Sequence, residues 1–137
     1  MTTLLSLLRR YIKNTKDDWN YITPSDFYKN FFSKKNKNYV VIDLRKKKDY
    51  EAFHMPYSVN IFWLDLLTTK NLNRLIDYQI EGKKIFLICY VGHTSSQAMT
   101  LLKLLGINAT SIKFGYGVSP SKNVPIAGWT QLRYPVI

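Results

Sequence analysis

The 137-residue chain has one cysteine, two histidines and no uninterrupted apolar stretch longer than residues 85–91. One cysteine excludes an internal disulfide and is too few for a thiolate zinc site, so neither disulfide staples nor a structural metal are expected, and no cofactor is expected. The apolar stretch falls well short of the roughly 20 residues that a membrane-spanning helix needs. Acidic residues are also scarce. Against 20 Lys and Arg there are 9 Asp and Glu, a net charge of +11. Such a balance admits nucleic acid, an anionic membrane surface or an anionic small molecule as partner. The lysines fall in short groups, at 34, 35 and 37, at 46 to 48 and at 83 and 84, where element boundaries are expected. They read as a solvated basic surface. No interleaving of aromatic and basic residues accompanies them, and nucleic acid is not expected as the partner.

At 46% apolar content the chain can build one compact core, but it is too short for two ordinary domains. Leu4, Leu5, Leu7 and Leu8 precede Arg9 and Arg10, the reverse of the order in a secretory signal, so the expected location is cytoplasmic. Over residues 3–16, Leu4, Leu5, Leu8, Tyr11 and Ile12 recur at helical spacing. We read residues 1–20 as an amphipathic helical extension and 21–137 as a single domain. The stripe can pack on that domain, join two copies as a homodimer, or lie on a membrane surface.

Thr23-Pro24-Ser25-Asp26 carries the signals of a helix start, and a short helix to about residue 33 follows. Residues 39–44 form an apolar run rich in β-branched side chains, which predicts a strand buried on both faces of a parallel sheet. A turn or two of helix over 48–53, a strand over 59–62, and an amphipathic helix over 64–78 interrupted near 68–71 come next. Residues 85–88 predict a second buried strand ending at Cys89. Residues 95–105 predict a helix with Ala98, Leu101, Leu102 and Leu105 on its inner face, stopped by Gly106, and 109–114 a last strand. Alternating strands and helices imply an open, parallel α/β sheet, whose sites form at the carboxyl ends of strands.

Cys89 lies at such an end. In Cys89-Tyr90-Val91-Gly92-His93-Thr94-Ser95-Ser96, a loop between a buried strand and a helix can aim successive backbone N–H groups at one centre, while the helix N-terminus adds partial positive charge. Gly92 permits the close approach, and the hydroxyls of Thr94, Ser95 and Ser96 suit helix capping and anion contact. Settings of this kind favour the nucleophilic thiolate. A buried structural cysteine at the end of an apolar strand is the competing reading.

This segment resembles the active-site loop of rhodanese-like sulfurtransferases. Tyr21-Ile22-Thr23-Pro24, Val41-Ile42-Asp43-Leu44-Arg45, His54-Met55-Pro56, Val59-Asn60, Gly115, Gly128-Trp129 and Tyr134-Pro135-Val136 are similar, in order, to other landmarks of that family. The resemblance implies a doubly wound α/β domain flanked by helices, with an extra N-terminal helix. Cys89 would take a sulfane sulfur from a small anionic donor (thiosulfate, polysulfide or persulfide). The resulting persulfide would pass it to an external thiol, cyanide or an acceptor protein. Tyr90, Val91, Gly92, His93, Thr94 and Ser95 would form the substrate loop, and Asp43 and Arg45 an ion pair supporting it. Members with good thiosulfate turnover often carry basic side chains in this loop, whereas here Tyr90, Val91 and His93 occupy those places. The stretch between Gly117 and Pro125 is longer than the common form and reshapes the expected pocket rim. A phosphatase on this fold needs an arginine six residues after the cysteine, and Ser95 stands there. The other alternative is a catalytically quiet binding or redox-sensing module that docks through the N-terminal helix and residues 119–122.

Overall fold

The computed structural model describes residues 2–15, 19–118 and 127–137. The expected insertion between Gly117 and Pro125 falls largely on residues outside these, as do residues 119–122. In chain order the elements are α1 (Thr2–Asn14), β1 (Tyr21–Ile22), α2 (Pro24–Phe27), which runs on into a π-helical turn (Tyr28–Phe32), β2 (Tyr39–Asp43), α3 (Lys47–Ala52), β3 (Ser58–Asn60), a 3-10 turn (Trp63–Asp65), α4 (Thr69–Ile80), β4 (Lys84–Ile88), α5 (His93–Leu104) and β5 (Ala109–Ile112). The strands form one parallel sheet in the order β1-β5-β4-β2-β3.

Buried β-branched runs place β2 and β4 at the centre. Every residue of β2 is buried, and so is β4 from Ile85 onward. Polar alternation would have exposed one face; its absence leaves both faces to be covered by helices. One face carries Val40, Ile42, Leu87, Leu75 of α4 and Met99 and Leu102 of α5. The other carries Val41, Phe86, Ile88, Phe27 of α2 and Trp129. The chain runs outward from β2 to β3, returns past β2 to β4, and continues the opposite way to β5. The direction of winding therefore reverses between β2 and β4, and sites on such sheets form at the carboxyl ends of the strands beside that point.

Several boundaries differ from the sequence expectations, each for a local reason. The Thr23 hydroxyl accepts the Asp26 N–H at 3.1 Å, which starts α2 as the sequence implied. β1 was not expected; two residues long, it exists through its pairing with β5. β3 occupies 58–60 rather than 59–62, because the chain turns out of the sheet into the 3-10 turn at Trp63. Thr68 caps α4 by accepting the Asn71 N–H at 3.3 Å, so that helix is continuous from Thr69 and the expected interruption is its start. β5 ends at Ile112, because Lys113 and Phe114 enter a turn with Phe114 at φ 65°. Gly106 does end α5: its N–H reaches the Lys103 carbonyl at 3.0 Å, and that of Ile107 reaches Leu102 at 2.9 Å.

Two expected apolar faces also change. On α5 the buried residues are Ser95, Ala98, Met99 and Leu102, while Leu101 and Leu105 are exposed. Ser95 takes a place on the inner face for reasons given below, and the buried stripe runs three residues earlier than expected. On α1, Tyr11 meets α5, its hydroxyl lying 3.4 Å from Thr100 Oγ1, and Leu7 lines a depression between the two helices. Leu4, Leu5, Leu8 and Ile12 remain exposed among the described residues, so only Tyr11 of the expected stripe meets α5.

Candidate active site around Cys89

Cys89 follows β4 and is only 2% exposed. Its sulfur accepts two backbone hydrogen bonds, from the Gly92 N–H at 3.2 Å and the Ser95 N–H at 3.3 Å. Both donors belong to the entry into α5, with Gly92 as the N-cap residue at φ 99°. That conformation suits glycine, and a Cβ there would come within 3.0 Å of the Phe114 amide nitrogen. Strand end, positive-φ turn and helix start thus fold two amides back onto one atom, and the first turn of α5 adds its dipole.

Beneath the sulfur lies a buried hydroxyl pair. Ser95 Oγ is 3.3 Å from Cys89 Sγ and 2.7 Å from Ser111 Oγ, and both serines are fully buried. With a neutral thiol, the S–H donates to Ser95, whose own hydroxyl donates to the Gly92 carbonyl at 3.2 Å. With a thiolate the chain can reverse, Ser111 donating to Ser95 and Ser95 to sulfur, because hydroxyl protons rotate freely. A serine on an otherwise apolar helix face is thereby satisfied in either state.

The loop is clamped from the far side. The Tyr116 N–H donates to the Cys89 carbonyl at 3.0 Å and the Gly117 N–H to the Tyr90 carbonyl at 2.9 Å. Gly115, at φ 52°, lies so close that a Cβ would meet the Cys89 carbonyl oxygen at 2.1 Å. Beside the loop is an open depression of about 420 Å³ bordered by Val91, Gly92, His93 and Lys113. Lys113, on the turn after β5, brings a cation to this rim; its Nζ also lies 5.8 Å from the centre of the Tyr21 ring.

The expected substrate loop therefore splits. Gly92 and Ser95 meet the sulfur, and Val91, Gly92 and His93 border the depression. Thr94 and Ser95 are helical residues rather than loop residues, because α5 begins two residues earlier than expected, and no side chain caps it. Ser96 instead pairs with the Tyr21 hydroxyl. Tyr90 points its hydroxyl toward α3, hydrogen-bonding to the Asp49 carboxylate and accepting the Lys46 N–H at 3.4 Å. Burial, then the Asp49 hydrogen bond, pushes the Tyr90 phenol up to about 12. Ser111 and Tyr116 were not singled out from the sequence, and Gly115 only as a landmark of the family resemblance, since nothing local ties these residues to Cys89.

Asp43 and Arg45 form a buried ion pair at 2.9 Å at the end of β2. The guanidinium also donates to the Phe53 carbonyl at 2.7 Å and lies 3.9 Å from the centre of the Tyr116 ring. The Tyr116 hydroxyl donates to Asp43 at 2.8 Å while accepting the Met55 N–H at 2.8 Å. Burial alone would lower the Arg45 pKa, but the hydrogen bond and charge of Asp43 outweigh it and the net shift is upward. Burial, then the Asp43 charge, also pushes the Tyr116 phenol up. The ion pair and the sulfur cradle share one connector, the Gly115-Tyr116-Gly117 segment.

Comparison with known proteins places this arrangement. The family model of the rhodanese-like domain matches residues 23–117. The chain is 30% identical over 94 residues to the adenylyltransferase and sulfurtransferase UBA4 of Yarrowia lipolytica, a match covering 69% of this chain and 22% of that protein. The chain thus spans about a fifth of that relative's length. Among solved structures, a rhodanese-related protein of Thermoplasma volcanium is 26% identical with a TM-score of 0.62, covering 87% of this chain and 98% of that one. The rhodanese-like domain of an Anabaena protein, at 15% identity, shares the fold with a TM-score of 0.64, covering 86% of this chain and 78% of that one.

Proposed function

Because the chain belongs to the rhodanese-like domain family, we propose that it is a sulfurtransferase in which Cys89 carries the transferred sulfur. The observation that carries this reading is the pair of N–H donors, Gly92 and Ser95, converging on Sγ. The Cys89 thiolate attacks the outer sulfur of the donor. An S–S bond forms, the donor's own sulfur bond breaks with its electron pair, and the leaving group departs as sulfite from thiosulfate or as a shortened polysulfide. The product is a Cys89 persulfide anion. An external thiolate or cyanide then attacks the outer sulfur, forming a new persulfide or thiocyanate and returning the Cys89 thiolate. Amides fixed before reaction stabilise the anionic sulfur without reorganising, as an oxyanion hole does. The chain contains no second cysteine, so resolution needs an acceptor from outside it.

The donor is a small sulfur-bearing anion, and the acceptor a thiol or a protein presenting one. No arginine or lysine stands inside the loop itself, and Lys113 borders the depression beside it. Turnover tests this reading: thiosulfate or polysulfide is supplied with cyanide and thiocyanate is measured. Production that vanishes in Cys89→Ser supports sulfur transfer. The near-complete burial of Cys89 favours a second reading, a quiet binding or redox-sensing module. No thiocyanate from either donor, from folded protein with a free thiol, would decide for that module.

A further inference from the structure

Four apolar residues of the α1 stripe stay exposed among the described residues. Leu4, Leu5, Leu8 and Ile12 are 54, 39, 40 and 60% exposed, although the helix meets α5 through Tyr11. Leu4, Leu8 and Ile12 fall on one line down the helix, four residues apart, with Leu5 beside them. Arg9 and Lys13 each stand one residue beyond this line and border it, and the helix holds no acidic residue. Trp19, 42% exposed, lies with its ring 5.9 Å from that of Tyr11, adding an amphipathic aromatic beside the stripe.

From this surface we propose that α1 docks on an anionic lipid bilayer, laying Leu4, Leu5, Leu8 and Ile12 among the acyl chains while Arg9 and Lys13 meet lipid phosphates and carboxylates. Charge complementarity selects this occupant. A basic helix on a chain of net charge +11 is attracted to an anionic surface, whereas a second copy carries the same +11. Size argues the same way. A helix of 13 residues is about 20 Å long, so a face about 10 Å wide offers about 200 Å², far below the about 800 Å² per partner of a standard protein interface. A bilayer needs no such area, because the helix sinks its apolar face into the headgroup boundary. Among the described residues no helix is long and apolar enough to cross a membrane, so the contact is peripheral.

The test is flotation of the full chain with vesicles of phosphatidylcholine alone and with vesicles that also contain phosphatidylserine. Binding is expected only to the latter. It should weaken about tenfold or more in Leu8→Gln/Ile12→Gln, in Arg9→Glu/Lys13→Glu, and on raising salt from about 0.1 M to about 1 M. The charge-reversal variant leaves every apolar side chain in place, which keeps the experiment readable should the glutamines loosen the helix. No binding to phosphatidylserine vesicles, or binding indifferent to both variants, would overturn the proposal. So would a dimer in sedimentation velocity that Leu8→Gln/Ile12→Gln dissociates, since the stripe would then cover a second copy.

Discussion

The ends of β2 and β4 are neighbours in the sheet, yet they treat buried polarity in opposite ways. At the end of β2, Asp43 and Arg45 are satisfied by each other, by Tyr116 and by the Phe53 carbonyl. Every strong group there has a fixed partner in a side chain or carbonyl. At the end of β4, the Cys89 sulfur faces two backbone N–H groups and a hydroxyl pair that can donate in either direction. The first arrangement is closed and holds shape; the second offers the sulfur donors and a hydroxyl pair whose protons can turn. Variants at the β2 end should therefore change stability, and variants at the β4 end should change sulfur transfer.

The sharpest separation is expected from Cys89→Ser. Thiocyanate production should fall by more than about 1,000-fold, equivalent to over about 4 kcal/mol in the barrier, while urea unfolding shifts by about 1 kcal/mol or less. Arg45→Met should do the reverse, leaving Asp43 charged and buried and costing about 3–5 kcal/mol in urea unfolding; Asp43→Asn in the same chain should restore part of it. Equal loss of stability from both single variants would break the comparison.

Gly115→Ala tests the connector. Its Cβ would stand 2.1 Å from the Cys89 carbonyl oxygen, so the loop must shift. A displacement of about 1 Å at a reacting centre can cost about 100-fold, and transfer should fall by that order. Ser95→Ala removes the hydroxyl but keeps the N–H, and transfer should drop about tenfold. The smallest effect belongs to the tyrosines. The Tyr90 and Tyr39 phenols are pushed up to about 12, Tyr39 chiefly by burial, where its hydroxyl has no hydrogen-bond partner among the described residues. Folding favours their neutral forms. The stability they contribute is intact below pH about 10 and is lost as pH rises from there through about 12. Ultraviolet titration should show these phenols ionising only as the chain unfolds in alkali.

What the sequence made legible follows the range of the interactions. β2 and β4 stood out as buried runs, and the start of α2 through Thr23, because those signals are local. Cys89 and Gly92 stood out because strand, glycine, hydroxyls and helix follow one another within a few residues. β1 did not, since two residues become a strand only when β5 lies beside them. Ser111 did not, and Gly115 did so only as a landmark of the family resemblance, since both reach Cys89 and Ser95 through the pairing of β5 with β4. The N-terminal stripe was visible as a pattern, but which of its residues meets α5 depends on how the helix packs.

The most direct measurement is intact mass after incubation with thiosulfate, and separately with polysulfide, on the native protein and on Cys89→Ser. A reducible gain of one sulfur atom on the native protein, absent from Cys89→Ser, is the result expected of a persulfide held in this cradle. No gain from either donor on folded protein with a free thiol would contradict it and leave Cys89 as a buried thiol in a binding or sensing domain.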